Sequence, residues 1–194
     1  MRQTIGFGIG GVFAICVGIT AVLPAEPGPR DAAAICARSP CRTAIDEFRL
    51  TDAQGGTFIL NTAPVPYVDE GRITLFAGET IEAAFPEGGV DMPRFVRAAG
   101  PLQPGAPGRL AVQLVQDAGK ADMSLALQST LDVPLAFDAV LFVPTPNAMG
   151  QRRISSCVAL PNGVTRKTWP YPVATMVLSN FRAAEAGSNP ADCR

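Results

Sequence analysis

The chain has 194 residues, enough for one domain and hardly two, with 47% hydrophobic residues, 17% charged ones and a formal net charge of −1. So balanced a chain has no basic field for nucleic acid and no acidic one for cationic partners, and nucleic acid is not expected as a partner. Histidine is absent, which removes Ser-His-Asp and Cys-His catalysis together with imidazole metal ligands.

Of the 16 basic residues only Lys120 and Lys167 are lysine. With abundant Ala, Gly and Pro, that bias reads as codon usage in a GC-rich, bacterial genome, so a single arginine carries little weight as a functional signal. Behind Met1-Arg2-Gln3, residues 4–25 hold no charged side chain. A positive start followed by an apolar stretch is the export signature. The stretch exceeds the usual signal-peptide core of about 7–15 residues and reaches the roughly 20 that cross a bilayer. A cleaved signal peptide and a retained signal anchor are both open for residues 1–25. Leu23 and Ala25 make a mediocre cleavage site. Cys16 follows Phe13-Ala14-Ile15 and lacks the small residue that lipid modification wants directly before the cysteine. Gly6 and Gly10 have the GxxxG spacing of packed membrane helices, but glycine is common in this segment and chance explains it.

Residues 26–45 read as a tether and cysteine-containing lead-in, beginning Glu26-Pro27-Gly28-Pro29-Arg30, with a helical turn or two over 31–37. From 46 to 194 the pattern turns to period-2 segments separated by Gly and Pro. Residues 48–51 and 57–60 flank Gln54-Gly55-Gly56 as a hairpin. Residues 72–76 lead through a turn at 77–80 into 81–85. The Pro- and Gly-dense stretch 86–108 reads as a long loop holding at most one short strand, near Phe95. Leu110, Val112 and Leu114 alternate, as do Met123, Leu125 and Leu127, and the loop between them offers Gly119 for positive φ. Residues 135–143 are apolar on both faces except at Asp138, which marks a central or doubly covered strand. Residues 154–160, the turn Pro161-Asn162-Gly163 and a last long strand over 173–181 complete the set. About eight strands with regular turns predict an all-β fold, an antiparallel Ig-like β-sandwich preceded by a hydrophobic export or anchor helix.

The run Leu125-Ala126-Leu127-Gln128-Ser129-Thr130-Leu131-Asp132-Val133-Pro134-Leu135-Ala136-Phe137-Asp138-Ala139 carries a resemblance, together with Ser155-Ser156-Cys157 and Trp169-Pro170-Tyr171-Pro172. A strand, a polar turn and a strand opening on Pro-Leu, then a cysteine behind serines and a late Trp-Pro, resemble small exported bacterial β-sandwich proteins of uncharacterised function. The likeness covers about the last third of the chain. It implies a sandwich and an envelope location, and no activity. In physical terms Pro134 fixes φ where a strand begins, and Asp132 can accept backbone N–H bonds in the turn. Trp169 is expected to cap one end of the core. The alternative is that Trp169 and Tyr171, beside prolines, form a binding platform.

Chemistry fails for want of parts. A Ser–Lys dyad would have to use Lys120 or Lys167, both in apparent turns where an amine stays protonated. Carboxylates for glycoside hydrolysis exist in Asp69-Glu70, Glu79 with Glu82, and Asp138. The first four are expected at solvated strand ends, the first pair on opposite faces. Asp138, in the most apolar strand, needs a partner or a shifted pKa, and Arg152 or Arg153 is the expected ion-pair partner. No calcium loop and no phosphate-cradling glycine motif is present, so neither metal nor cofactor is expected. Cys36, Cys41, Cys157 and Cys193 form an even set, which in an oxidising compartment reads as two disulfides in any of three pairings. The C-x₄-C spacing of Cys36 and Cys41 does not suit a thioredoxin-like redox pair.

These readings predict an exported protein of the periplasm or cell envelope with a non-enzymatic binding or assembly role and a protein partner there. It touches the membrane only through the N-terminal segment, which, if kept, anchors it in the inner membrane. Two alternatives stand beside it, a carboxylate-dependent envelope glycan hydrolase with Asp138 as its acid and a membrane-anchored subunit of a larger envelope complex.

Overall fold

Where large apolar side chains recur every second residue, one face of a strand can be buried and the other left wet. Six of them, Leu110, Val112, Leu114, Met123, Leu125 and Leu127, are at most 2% exposed and belong to two adjacent strands. In the computed structural model, which describes residues 32–43, 45–87, 89–98, 106–145 and 148–185, the elements follow in this order. A short helix α1 (Ala32–Cys36) and the two-residue strand β1 (Cys41–Arg42) precede the hairpin of β2 (Ile45–Thr51) and β3 (Thr57–Thr62). Two more two-residue strands, β4 (Val65–Pro66) and β5 (Val68–Asp69), lead to β6 (Arg72–Phe76), β7 (Thr80–Ala84) and β8 (Arg94–Ala98). Then come the long strands β9 (Arg109–Gln116), β10 (Met123–Ser129), β11 (Leu135–Pro144) and β12 (Met149–Ala159). The chain closes with β13 (Val164–Trp169) and β14 (Thr175–Ala183).

The strands make two five-stranded antiparallel sheets, ordered β13-β10-β9-β7-β8 and β12-β11-β14-β6-β5, with the small pairs β1-β4 and β2-β3 outside them. Their inner faces share one core. Ile81, Leu110, Val112, Leu114 and Leu125 come from the first sheet, and Ile73, Leu75, Phe137, Leu141 and Met176 from the second. The fold is thus all-β and sandwich-like, as the alternation predicts, and the 48–60 hairpin, the 110–127 hairpin and the strand near Phe95 lie where the sequence put them. The N-terminal apolar segment lies outside the described residues.

β11 is central, with β12 on one side and β14 on the other, but its outer face is only partly covered. Leu135, Phe137, Ala139 and Leu141 point inward and are at most 2% exposed, whereas Val140 and Phe142 are half-buried. Both partners shift register beside Asp138. β12 places Ser155 and Ser156 against that one residue, and β14 carries Asn180 there at φ 53°. Bulges of this kind re-aim side chains without ending the strand.

The chain changes sheet between β6 and β7, between β10 and β11, and on either side of β13. The first crossing needs Gly78 at φ 86°, a conformation that a side chain would strain. Its N–H donates to the Leu114 carbonyl at 2.7 Å, which ties the turn to β9. Two other crossings are latched together. The Asn162 N–H donates to the Leu131 carbonyl at 3.1 Å and its Nδ2 to Asp132 Oδ1 at 3.2 Å. Asp132 therefore serves a turn 30 residues away rather than its own backbone.

Candidate binding site

Arg42, which nothing in the sequence singles out, is held by a dense set of polar and ring contacts. It is 4% exposed. Its Nε donates to Glu79 Oε1 at 2.7 Å and its Nη2 to Glu79 Oε2 at 3.0 Å. Its remaining donors reach the carbonyls of Thr74 (2.7 Å), Val65 (3.2 Å) and Pro66 (3.3 Å). The guanidinium lies over the rings of Tyr67 at 4.3 Å and Phe76 at 4.8 Å, and Tyr67 stacks on Phe95 of β8 at 4.7 Å. Arginine alone offers five donors on a flat, weakly hydrated plane, so it can satisfy a carboxylate and three carbonyls between two rings. The stack closes the side of the sandwich where β5 and β8 are the sheet edges. On the opposite side Arg152 covers the Tyr171 ring at 4.3 Å.

The Cys36–Cys41 disulfide holds the lead-in just before Arg42, with Cα atoms 5.4 Å apart. A two-residue ladder, Cys41 to Pro66 and Arg42 to Val65, lays that lead-in on β4. Cys157, 1% exposed, is also disulfide-bonded. Its partner lies outside the described residues, as do Cys16 and Cys193.

The carboxylates prove to be held by arginines. Glu79 and Glu82 are not solvated strand ends. Glu79 binds Arg42 and accepts the Phe76 N–H at 2.7 Å, and Glu82, 7% exposed, lies between Arg97 and Arg109. Register explains the second case, since Arg97 stands directly across from Glu82. Asp69 and Glu70 do not point apart. Glu70 turns at φ 44°, so that both carboxylates approach Arg72, at 3.6 and 3.5 Å. Asp138 is not buried either, with its side chain 30% exposed. It accepts from Asn180 Nδ2 at 2.8 Å and from Arg182 at 3.4 Å, neither of them the expected Arg152 or Arg153. β12 presents those two arginines further along the strand, Arg153 opposite Val140. Replacing Asp138 with Asn is therefore expected to leave the fold intact and to shift the melting temperature by less than about 4 °C, because an exposed pair contributes about 0–1 kcal/mol. Thermal unfolding followed by circular dichroism measures this, and a collapse of the fold would restore a buried role for Asp138.

Trp169 ends β13 at 8% exposure within the core, so its ring faces protein rather than an open platform. Tyr171 packs on the core edge beneath Arg152. The concave surfaces lie elsewhere. A groove of about 560 Å³ opens at the end of the sandwich, lined by Phe85, Pro86, Val90, Leu131, Val133 and Ala183 with a few polar groups. Two of those polar groups are already engaged. The Thr130 hydroxyl accepts the Arg109 N–H and donates to the Ala106 carbonyl, and Asp132 accepts from Asn162. Glu87, which is exposed, also lines it. A polar hollow of about 600 Å³ runs past Glu70, Arg72, Asp91 and Asn180. The first groove has the size and apolar lining of a ligand or side-chain pocket. Among the described residues no helix is long and apolar enough to cross a membrane, and no group of three metal-ligating side chains occurs. Compared with protein-family models, curated proteins and solved structures, the chain matches none.

Proposed function

We propose that this chain is an exported, Ig-like β-sandwich of the bacterial cell envelope that binds or assembles with another protein there and performs no catalysis. The observation that carries the reading is the state of the carboxylates. Each one that the sequence offered for acid–base work stands in an ion pair with a guanidinium, while the groove at the sandwich end is mostly apolar. Such pairing spends a carboxylate's lone pairs on fixed donors of the same fold, which suits architecture better than acid–base work on a substrate.

Export is supported by two further facts. The segment over residues 4–25 has the length and composition of a signal peptide or anchor helix, and the disulfides at Cys36–Cys41 and Cys157 belong in an oxidising compartment. The same segment, if retained, makes the protein a tethered component of the inner membrane.

A fusion of alkaline phosphatase behind residue 30 tests the location, because that enzyme is active only where its own disulfides form. High activity in intact bacterial cells is expected, and a cytoplasmic signal overturns the export reading. A photo-crosslinking residue in place of Val133, at the rim of the groove, tests the role. A discrete crosslinked species supports binding there, whereas hydrolysis of isolated envelope glycan by the purified protein overturns the non-enzymatic reading.

A further inference from the structure

The groove at the end of the sandwich is walled by separate stretches of chain that backbone hydrogen bonds hold together. The Phe85 N–H donates to the Gly108 carbonyl at 3.0 Å, and the Gly108 N–H donates to that of Thr130 at 3.3 Å. The Ala184 N–H, next to Ala183, donates to the Pro134 carbonyl at 2.8 Å, which brings the end of β14 to the crossing between β10 and β11. A wall fixed in this way need not be ordered when an occupant enters, which removes one cost of binding.

The lining is apolar and carries charge of one sign. Among the described residues that wall the groove, Glu87 and Asp132 are carboxylates and none is cationic. Both are exposed. Asp132 commits Oδ1 to Asn162, and the Glu87 carboxylate has neither hydrogen bond nor ion pair among the described residues. The arginines that adjoin the wall in sequence are turned elsewhere. Arg109, after Gly108, reaches Glu82 at 3.3 Å, and Arg182, before Ala183, reaches Asp138 at 3.4 Å. Glu87 thus differs from the arginine-held carboxylates of the sheets. Apolar walls beside charges of one sign focus their field on an entering group of the other sign. Val133 on the rim is 42% exposed, so apolar contact extends past the hollow. That suits a chain segment better than a small molecule, which a pocket encloses on most sides.

We infer that this groove seats a segment of a partner protein in which large apolar side chains are flanked by lysine or arginine. One apolar side chain enters the hollow lined by Phe85, Val90 and Leu131, and a neighbouring one covers Val133. The flanking cations meet Glu87 and Asp132. Burial of the apolar side chains gives the affinity, and the carboxylates set the specificity by rejecting acidic segments. The inference rests on the binding reading above and names the partner's chemistry.

The probe is the fluorescein-labelled peptide Gly-Lys-Lys-Leu-Phe-Leu-Lys-Lys-Gly, titrated by fluorescence anisotropy against the full chain in uncharged detergent micelles at low salt, with empty micelles as the blank. Binding is expected, weakened about tenfold by E87K. D117K makes the same charge change beyond the far end of β9, about 27 Å from the groove, and should weaken it less than twofold. Exchanging the Leu-Phe-Leu core for Ser-Gly-Ser, or the lysines for glutamates, is expected to abolish binding. The proposal is overturned if the peptide does not bind, if E87K and D117K behave alike, or if either altered peptide binds as well as the first. It is also overturned if E87K dissociates a dimer of this chain, which would make the occupant a second copy. A discrete Val133 crosslink in cells, with no binding of the basic peptide, sinks this inference and leaves the binding reading standing, so the two can fail separately.

Discussion

Replacing Arg42 with alanine is expected to lower the stability of the folded chain by about 3–5 kcal/mol, the range for breaking a buried ion pair by removing one partner. Arg42 is 4% exposed and Glu79 sits beside it with a side chain 18% exposed. The alanine leaves that carboxylate with the Phe76 N–H as its remaining donor here and strips the carbonyls of Val65, Pro66 and Thr74 of the guanidinium. It also opens a gap between the Tyr67 and Phe76 rings. At 2–4 °C per kcal/mol for a chain of this size, the melting temperature should fall by roughly 6–20 °C. R42K should recover less than half of the loss, because an ammonium can neither fork onto Glu79 nor fill the space between two rings. R42A combined with E79A should cost less than the sum of the single changes, since each already removes the shared contact. Thermal unfolding of the full chain in neutral detergent reads all four proteins. An R42A protein within about 1 kcal/mol of the parent would show that the network contributes nothing net.

That single arginine marks the boundary of what the sequence makes visible. A strand such as β9 is legible because burial alternates with the backbone, so Leu110, Val112 and Leu114 announce their common face locally. The hairpin loop at Gly119 is legible for a similar reason, since its φ of 70° calls for glycine. Arg42 announces nothing. Its carboxylate partner is 37 residues away and its other partners are carbonyls, and a carbonyl has no residue identity to read.

Edge strands fail for a different reason. β13 buries only Thr165 and Trp169 and turns Arg166 and Thr168 to solvent, so Thr165-Arg166-Lys167-Thr168 shows no apolar alternation and looks like a loop. Asp138 looks like a buried acid in the sequence because its neighbours there are apolar. The relevant neighbours are across the sheet, where Asn180 at a bulge and Arg182 supply the polar partners. Candidate sites made of long-range polar contacts are thus the part of this protein least accessible from its sequence, and the sheets the most.

The two disulfides should differ in what they contribute. Cys36–Cys41 closes a loop of about 6 residues, and loop-closure entropy gives it roughly 2 kcal/mol. Cys157 is bonded, and with Cys36 and Cys41 joined to each other the sequence leaves it Cys16 or Cys193. Register favours Cys193. Ala183 of β14 and Ala159 of β12 both pair with Leu135, so two strand spacings of about 4.8 Å separate them. Cys157 lies two residues from Ala159. Eight residues from Glu185 to Cys193 reach up to about 28 Å, ample to cross that interval. Such a bond encloses about 37 residues and should contribute about 4 kcal/mol on the same entropic model. Peptide mapping without reduction should therefore recover Cys36 with Cys41 and Cys157 with Cys193. The C157S/C193S protein should melt well below the C36S/C41S protein. Recovery of Cys157 linked to Cys16 would instead tie the sandwich covalently to the apolar N-terminal segment and exclude its loss by cleavage, and equal melting losses would mean that loop entropy does not set the balance. The expected order follows from where the bonds sit. One fastens a lead-in that Arg42 already holds, and the other, if it runs to Cys193, encloses the sequence of both β13 and β14.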